Sequence, residues 1–399
     1  MIESLAINNF KKFEHIELKN LARVNIFAGI NNVGKTSVLE AVFAYACGRN
    51  LFPLLSNTVL HRLSVGDRDQ IRSPYPWMEM IWNTFHDKRN VRNFNFSFEG
   101  HIDGKEMQVN HHFTPSSIFA DFLPNEMGSF GDTAFMRVTT DEIKNTQQNL
   151  GAPVLQILGR WQTTINGKEG TPVEITYPLL SPALPAEPLI LAKIDDILSH
   201  RNENEDRKIY SFLSRAGLLP QITKEINQCF PELQLTSIEN IPYPDGTAAP
   251  ISVRLDGKGT YPLYTLGDGL RRWFHLIGSM LVYHDAVHCI EEIDATFHHK
   301  AQQELSCELL KYAKKYNNQL FITTHNSEYL QSFLTAIRND SVEGDASLEK
   351  DVRVFTMRNM GEETKLRVLD GKEAWKADWS SEYDRNHTLR RFDRPGAAE

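Results

Sequence analysis

Residues 29–36 read Gly29-Ile30-Asn31-Asn32-Val33-Gly34-Lys35-Thr36, the Gly-x-x-x-x-Gly-Lys-Thr pattern of a phosphate-binding P-loop. The preceding residues, 24–28, are largely β-branched and aromatic and predict a buried strand, whereas residues 37–46 are rich in helix formers. In such a strand–turn–helix unit, backbone N–H groups and the positive end of the helix dipole point at phosphate oxygens. The pattern therefore predicts a site for a nucleoside triphosphate.

Two side chains of this loop have distinct expected roles. Lys35 would reach the outer phosphates, and Thr36 would place its hydroxyl on Mg²⁺. The other contacts would come from the loop and from the first turn of the helix. The expected nucleotide contacts are Gly29, Asn31, Asn32, Gly34, Lys35, Thr36 and Ser37.

The composition bounds the class of protein. A chain of 399 residues with 41% hydrophobic residues can bury a large core and predicts two or three lobes. The net charge of −8 gives no field that would draw the whole molecule to nucleic acid, so DNA or RNA would need a local basic patch. Scattered cysteines, no secretory signal and no long apolar run predict a cytoplasmic protein with no membrane partner.

Residues 287–292 form an apolar run that ends in two carboxylates, Glu291 and Glu292. If this run is a strand beside the P-loop strand, both acids face the metal and the γ-phosphate. Glu291 would hold Mg²⁺ through water, and Glu292 would orient and deprotonate the attacking water. The structural alternative is a solvated pair of glutamates at a strand end.

A second apolar run, residues 320–324, is followed by His325. A helical pattern at residues 300–316 separates the two runs, which is the spacing of a βαβ unit. An imidazole at this strand end would donate to the γ-phosphate and report its presence. A purely structural histidine is the alternative, but the spacing favours a role in the site.

Two glycines, Gly267 and Gly269, precede another predicted helix, with Thr265 just upstream. Backbone N–H groups at such a helix start form a nest for an anion. Because the chain already has a P-loop, this nest would cap a γ-phosphate held by another subunit. An ordinary helix N-terminus is the alternative. The sequence therefore predicts a homodimer or higher homo-oligomer.

The order of P-loop, glycine-rich signature, acidic strand and histidine resembles the ABC-type ATPase heads of the RecF, SMC and OLD families. Residues 8–13, 291–298 and 323–327 look most like the prokaryotic AAA-family ATPases near OLD, and the resemblance spans roughly residues 1–50 and 250–370. It implies an α/β fold, a P-loop NTPase of the ABC-ATPase head type with a mixed β-sheet flanked by helices and an inserted α+β or helical region. It also implies ATP and Mg²⁺ as cofactors and an ATPase that hydrolyses ATP.

The resemblance assigns roles by position. Residues 266–269 correspond to the signature core, Glu291 and Glu292 to the Walker B pair, and residues 294–298 to the D-loop. The implied catalytic residues are Glu292, His325 and Lys35. Two positions depart from the family pattern, since Glu291 replaces the usual Asp and Gly267 replaces the signature serine. The serine hydroxyl is lost unless Thr265 supplies one.

The predicted organisation has four parts. Residues 1–115 form the N-terminal part of the ATPase head, 116–250 an inserted hairpin and helical region, 251–370 the C-terminal part of the head, and 371–399 a polar, arginine-containing tail. Strands are predicted within residues 2–18, hairpins within 92–113, 163–177 and 352–369, and helices over 189–230. The insert lacks sustained heptads, which argues against a coiled coil.

The sequence contains no recognisable effector chemistry. For a TOPRIM nuclease site, Glu343 follows a polar run instead of a strand, and Lys372 stands where a second Asp should follow Asp370. We therefore expect an ATP-driven switch that controls a separate effector protein such as a nuclease, and the OLD resemblance implies antiphage defence. Two alternatives stay open: a RecF-like repair ATPase that clamps DNA, and a nucleotide-locked scaffold with little hydrolysis. The clamp would use Lys311, Lys314, Lys315 and the tail arginines, Arg385, Arg390, Arg391 and Arg394.

Overall fold

The fold is that of a computed structural model, which describes residues 1–58, 75–86, 94–117, 156–177, 187–197, 199–339, 344–360, 363–377 and 379. Some sequence predictions lie outside these ranges. They concern Glu343, the four tail arginines, and residues 118–155 and 178–186 of the expected insert.

The described elements follow the chain in this order. The strands are β1 (Ile2–Phe10), β2 (Phe13–Leu18), β3 (Val24–Ala28), β4 (Phe94–Ile102), β5 (Lys105–Pro115), β6 (Gln156–Ile165), β7 (Lys168–Glu169), β8 (Val173–Tyr177), β9 (Leu191–Asp195), β10 (Leu235–Glu239), β11 (Ser252–Leu255), β12 (Gly259–Pro262), β13 (Ala286–Ile290), β14 (Gln319–Thr324), β15 (Val352–Met360) and β16 (Glu363–Asp370). The helices are α1 (Lys35–Cys47), α2 (Leu51–Thr58), α3 (Tyr75–Trp82), α4 (Glu203–Arg215), α5 (Leu219–Cys229), α6 (Asp268–Val282), α7 (His299–Lys315), α8 (Ser327–Asn339), α9 (Gly344–Asp351) and α10 (Gly371–Lys376).

A central six-stranded sheet carries the P-loop strand in its interior, with the order β16-β15-β3-β14-β13-β9. Neighbouring strands pair in parallel except β15 and β16, which form the antiparallel closing hairpin predicted from the sequence. Because β15, β3, β14, β13 and β9 all run in the same direction, their carboxyl ends share one edge of the sheet. Every residue of β3, β13 and β14 is buried, as their apolar runs predicted.

A second, antiparallel sheet has the order β2-β1-β4-β5-β6-β7, with β8 also paired to β6. It contains the strand pair and both hairpins predicted from residues 2–18, 92–113 and 163–177. The turn residues Asp103 and Asn166 have φ of +48°, and a glycine follows each of them, which is the chemistry of a tight hairpin turn.

Helix α1 lies between these two sheets. The side chains of β3 alternate between two cores: Phe27 belongs to a cluster with α1 and the antiparallel sheet, whereas Ile26 belongs to a cluster with the helices on the other face. Phe27 stacks on Phe355 of β15, with ring centroids 4.8 Å apart. The strand that leads into the P-loop is therefore anchored on both faces.

Two predictions of position are wrong. The stretch predicted to be helical, residues 189–230, in fact begins with strand β9, which pairs in parallel with β13. A 3₁₀ turn follows at Ser199–Arg201, and α-helices begin only at Glu203. A short run that adds to a sheet edge cannot be distinguished from a helical turn by periodicity alone. The acidic strand β13 also does not lie beside the P-loop strand, because β14 separates it from β3.

Strands from the expected insert extend both large sheets, since β6 pairs with β5 and β9 pairs with β13. The four-part division of the chain therefore stays a prediction. In the part of the chain that the structure describes, no helix combines the length and the apolar character needed to cross a membrane.

Candidate nucleotide site

The P-loop begins where β3 ends, at the carboxyl edge of the central sheet. Gly34 has φ of +103°, and a Cβ at this position would lie 2.9 Å from the Phe13 ring. A Cβ at Gly29 would lie 2.7 Å from the carbonyl oxygen of Met357 in β15. Among the described residues no side chain caps α1 at Gly34, which leaves the N–H groups of its first turn for a ligand. Both P-loop glycines are thus required by close packing.

The remaining loop residues surround this turn. Asn31 and Asn32 are exposed, and Asn32 has φ of +65°. Lys35 donates from Nζ to the carbonyl oxygens of Gly29 (2.7 Å) and Ile30 (2.9 Å). The Lys35 ammonium therefore lies inside the loop, where a phosphate would bind, and Ser37 is half-buried one turn into α1.

Burial lowers the pKa of Lys35, while the nearby carboxylates of Glu292, Asp294 and Glu291 act in the opposite direction. These carboxylates come from the segment that follows β13. The positive charge of the P-loop lysine and the negative charge of the acidic segment therefore share one local environment.

Two hairpins hold the P-loop from outside. Lys12, in the turn between β1 and β2, donates to the carbonyl oxygen of Asn32 and to Oδ1 of Asn359 (2.9 Å). Burial lowers the pKa of Lys12. Sequence reasoning missed this contact because it joins residues 347 positions apart.

The Thr36 hydroxyl donates directly to a carboxylate oxygen of Glu291. Glu291 thus reaches the first turn of α1 even though β14 lies between β3 and β13. Hydroxyl and carboxylate oxygens are the hard ligands that Mg²⁺ takes, with phosphate oxygens and water completing its coordination. The pair fits the predicted magnesium position, and the longer arm of Glu relative to Asp does not prevent the contact.

Glu292 lies beside His325. Oε1 of Glu292 is 3.7 Å from Nδ1 of His325, and the two side chains are 33% and 46% exposed. Both side chains can therefore reach water and an incoming ligand. The backbone of Glu292 has φ of +45°, and its N–H donates to Oγ1 of Thr323 at 2.9 Å.

The segment after Glu292 is attached to β14 by two further hydrogen bonds. The N–H of Ile293 donates to the carbonyl oxygen of Thr323 (3.1 Å), and the hydroxyl of Thr324 donates to Oδ1 of Asp294 (2.7 Å). In the sequence, the two threonines immediately before His325 were the signal for these hydrogen bonds. Sequence reasoning assigned a function only to His325.

Sequence reasoning also missed Arg272, which is 2% exposed. Its guanidinium donates to the carbonyl oxygens of Glu291 (2.7 Å) and Ala295 (2.9 Å). Burial lowers its pKa, and Asp195, Asp294 and other anionic groups oppose this shift. An arginine inside the apolar pattern of α6 was the available signal.

The predicted signature loop precedes α6, and no hydrogen bond between described residues joins it to the P-loop of the same chain. Gly267 has φ of +100°, and a Cβ there would meet no described atom within 4 Å. Thr265 donates its hydroxyl to the carbonyl oxygen of Pro262 (2.7 Å), within its own loop. A Cβ at Gly269 would lie 2.9 Å from the carbonyl oxygen of Thr296. The loop therefore packs on the D-loop and has open space in front of Gly267.

Asp370 has a structural position. Its carboxylate accepts from the N–H groups of Lys372 and Glu373 and caps α10, and Glu373 returns the contact to the Asp370 N–H. This capping box explains the residue pattern that resembled part of a nuclease site.

Two family models match different parts of the chain. A model described as "AAA ATPase domain" matches residues 1–125, which contain the P-loop. A model described as "AAA domain, putative AbiEii toxin, Type IV TA system" matches residues 173–330, which contain the signature loop, the acidic pair and His325.

Similar proteins point in the same direction. An "ATP/GTP phosphatase" of Helicobacter pylori is 21% identical over 352 residues, 85% of this chain and 89% of that protein. The DNA replication and repair protein RecF of Actinobacillus pleuropneumoniae is 37% identical over 60 residues, 15% of this chain but only 17% of RecF.

Solved structures of SMC heads are also similar to the chain. The SMC head domain of Thermotoga maritima is 13% identical, with 92% of this chain and 99% of that chain covered and a TM-score of 0.44. An SMC head bound to the C-terminal winged-helix domain of ScpA is 12% identical, with coverage of 92% and 98% and a TM-score of 0.49. Both family models describe AAA domains, and between them they match the parts of the site that the fold brings together; the chain is therefore similar to AAA-family ATPases.

Proposed function

We propose that two copies of the chain close around ATP and hydrolyse it at their interface. The observation that carries this proposal is the grouping of Thr36, Glu291, Glu292 and His325 beside the P-loop, while the loop at Gly267 keeps open space on its outer side. One chain thus supplies a P-loop half and a signature half that are not bonded to each other in its described residues. A second copy, oppositely oriented, would complete each site with its own signature loop.

Each side chain has one task in this proposal. Lys35 uses two ammonium protons on loop carbonyls and keeps the third for a phosphate oxygen. Glu292 accepts the proton of the attacking water, and His325 donates to the γ-phosphate. Thr36 and Glu291 would hold Mg²⁺, which when bound supplies charge neutralisation at the β- and γ-phosphates.

The proposed role of hydrolysis is to switch a separate effector protein, such as a nuclease, in defence against phage. Support comes from the resemblance to OLD-like ATPases and from a matching family model whose description names a putative toxin. The helix-capping role of Asp370 is also consistent with effector chemistry residing in another protein. Nuclease activity of the isolated chain that is lost in Asp370→Ala would contradict this part of the proposal.

Mass photometry with ATP and with ADP tests the dimer directly. We expect dimers with ATP and Mg²⁺, monomers with ADP, and the most stable dimers for Glu292→Gln, in which ATP persists. A single mass under all conditions would contradict the proposal. Multiple-turnover phosphate release that Glu292→Gln abolishes would exclude the scaffold alternative.

The preference of the site for adenine or guanine requires its own experiment, since the contacts described above involve only the phosphates. We propose ATP as the substrate, and the phosphatase of Helicobacter pylori carries both ATP and GTP in its name. Phosphate release measured with ATP and GTP at equal concentrations tests this choice. Turnover that is faster with GTP would contradict it.

A DNA clamp is the second candidate, favoured by the short stretch of similarity to RecF. Two of its proposed contacts are already paired, because Lys311 contacts Glu308 (3.1 Å) and Lys314 contacts Asp351 (2.7 Å). Binding to DNA that weakens steeply with salt would support the clamp. Binding that does not respond to salt would dispose of it.

A further inference from the structure

Arg272 connects the signature helix to the segment that carries the catalytic acid. It lies in the second turn of α6, five positions after Gly267, and its side chain is buried. The two carbonyl oxygens that it contacts belong to Glu291 and Ala295, one on each side of Glu292. Arg272 therefore fixes both ends of the short segment in which Glu292 is located.

This segment is a turn that β9 and α7 also hold, because the N–H of Glu291 donates to the carbonyl oxygen of Asp195 (2.8 Å) and Nε2 of Gln302 donates to the carbonyl oxygen of Asp294 (3.4 Å). The N–H of Ala295 donates to the carbonyl oxygen of Glu292 at 3.0 Å, and the left-handed backbone of Glu292 reverses the chain direction. Thr323 and Thr324 of β14 hold the turn from the opposite side. The position of the Glu292 carboxylate thus depends on β14 on one side and on α6 on the other.

The first turn of α6 also makes charged contacts with neighbouring elements. Asp268, its first residue, accepts from Arg201 at 2.7 Å, and Arg271 contacts Asp206 at 2.9 Å. Because a helix is stiff over two turns, a displacement of the signature loop moves Arg272 together with Gly267. A nucleotide that touches the loop would therefore also displace the carbonyl contacts around Glu292.

We propose that Arg272 couples the two nucleotide sites of the dimer. In one copy, the signature loop touches the nucleotide held by the second copy, whereas Glu292 acts on the copy's own nucleotide. Arg272 would thus report the occupancy of one site to the catalytic acid of the other. It is a positioning residue, and this inference rests on the interface proposed above.

Steady-state turnover gives the first test. We expect phosphate release by the wild type to depend cooperatively on ATP, with a Hill coefficient between 1 and 2 for two sites. Arg272→Lys keeps the charge but replaces the two guanidinium nitrogens, each of which contacts one carbonyl, with a single ammonium nitrogen. Its Hill coefficient should fall to about 1. Its kcat should fall by up to about 100-fold, the cost of displacing a catalytic group by about 1 Å, while the ATP affinity of the P-loop is retained.

Arg271→Lys is the matched control. It is the same substitution one residue earlier, and Arg271 contacts Asp206 and not the Glu292 turn. If Arg271→Lys lowered the Hill coefficient as much as Arg272→Lys does, a general disturbance of α6 would be the cause and the proposal would be overturned. Unchanged cooperativity in Arg272→Lys would overturn it as well.

Hydrogen exchange in mixed dimers tests whether nucleotide at the signature loop affects the Glu292 turn. Its main comparison, ATP against ADP, does not depend on the folding of an Arg272 variant. A ¹⁵N-labelled Lys35→Ala copy, whose own P-loop cannot hold ATP, is mixed with unlabelled Glu292→Gln. In the mixed dimer, ATP touches the labelled copy only through its signature loop. We expect residues 291–297 of the labelled copy to exchange more slowly with ATP than with ADP, and less so when Arg272→Lys is added to that copy.

The outcomes separate the two proposals. If mixed dimers form with ATP and exchange over residues 291–297 does not change, the coupling inference fails and the interface stands. If ATP produces no dimer of any kind by mass photometry, the interface itself fails and the coupling inference with it.

Discussion

Glu292 occupies a backbone region that side chains other than glycine rarely adopt. Such a conformation costs on the order of 1–3 kcal/mol and persists only where surrounding contacts enforce it. Here the N–H of Glu292 is held by Thr323, and the flanking carbonyls are held by Arg272. This strained backbone conformation thus occurs at the residue whose carboxylate would meet the attacking water in the proposed mechanism.

Replacing Glu292 with Gln should remove the proton acceptor and leave the shape of the site. We expect phosphate release to fall by roughly 10²- to 10⁴-fold, the usual contribution of a general base, with nucleotide affinity retained. Glu99→Gln, on the exposed face of β4, is the control and should retain wild-type turnover. Turnover of Glu292→Gln within a few-fold of wild type would assign the base to another residue.

Gly34 illustrates a different residue-scale requirement. Gly34→Ala would place a methyl group 2.9 Å from the Phe13 ring at a φ of +103°, so we expect nucleotide binding to be lost in a titration with labelled ATP. Gly104→Ala also has a positive φ but has open space around it, and it should cost about 1 kcal/mol in thermal unfolding without changing binding. Equal binding by both variants would contradict the packing argument.

At the scale of elements, β9, α4 and α6 meet in a buried network of charged side chains. His275 of α6 contacts Asp195 of β9 at 3.0 Å and Asp206 of α4 at 3.5 Å. Lys193 lies 3.5 Å from Asp195, and Arg271 closes the network at Asp206. The network attaches the signature helix to the edge strand of the central sheet.

The pKa values in this network predict how stability varies with pH. Burial disfavours the charged form of His275, but the hydrogen bond to Asp195 and the close carboxylate of Asp206 outweigh burial and raise the His275 pKa. The resulting stabilisation is complete below the unfolded histidine pKa of about 6.5 and is lost as pH rises through the raised value. Burial lowers the pKa of the neighbouring His288 to about 4, so that ring stays neutral over this range.

The carboxylate side of the network has the opposite sign. Burial alone would raise the pKa of Asp195, but Lys193 and His275 outweigh burial and hold it below its usual range. Its contribution is present above the unfolded value of about 3.9 and is lost as pH falls through the lowered pKa. The network is therefore strongest between these two limits.

His275→Asn is the variant that tests this element-scale prediction. Breaking a buried ion pair costs about 3 kcal/mol, so denaturant unfolding at pH 6 should show a difference of this size from wild type. At pH 9 the difference in the free energy of unfolding should be smaller, because His275 loses its charge as the pH rises through its pKa. His284→Asn, in an exposed pair with Asp285, should change stability by no more than about 0.5 kcal/mol at either pH. A His275 effect that is equal at both pH values would contradict the assignment of charge.

The sequence allowed the site to be predicted better than the elements that hold it. The P-loop, Glu291, Glu292 and His325 were predictable because each directly follows an apolar run, and parallel strands bring such ends to one edge. Strand β9 and the position of β14 between β3 and β13 were not, since pairing partners far apart in the chain decide them. The two carbonyl contacts of Arg272 depend on the same long-range packing, and the only local signal was an arginine inside the apolar pattern of α6.

On the scale of the whole molecule, the central sheet divides its side chains between two cores. One core contains Phe27, Trp161 and the antiparallel sheet, and the other contains Ile26, Trp273 and the helices around α6. Because the same strands contribute to both, we expect the two cores to unfold together.

Phe27→Ala tests this shared stability. Removing a fully buried phenylalanine costs about 3–5 kcal/mol, so calorimetry should show one transition at a lower temperature. Ile241→Ala, at a residue that is 60% exposed, should change the free energy of unfolding by no more than about 0.5 kcal/mol, as expected for a surface site. Two separate transitions, of which only one moves, would show that the cores are independent.

Strand β3 hydrogen-bonds to β14 and β15, which leave the ribosome some three hundred residues after it does. A growing polypeptide therefore holds its P-loop without either neighbouring strand until residues 319–360 have been synthesised. Newly made protein should acquire the ability to take up nucleotide late, after the closing hairpin has emerged. Prematurely terminated fragments would then be unable to sequester cellular ATP or to assemble with finished copies.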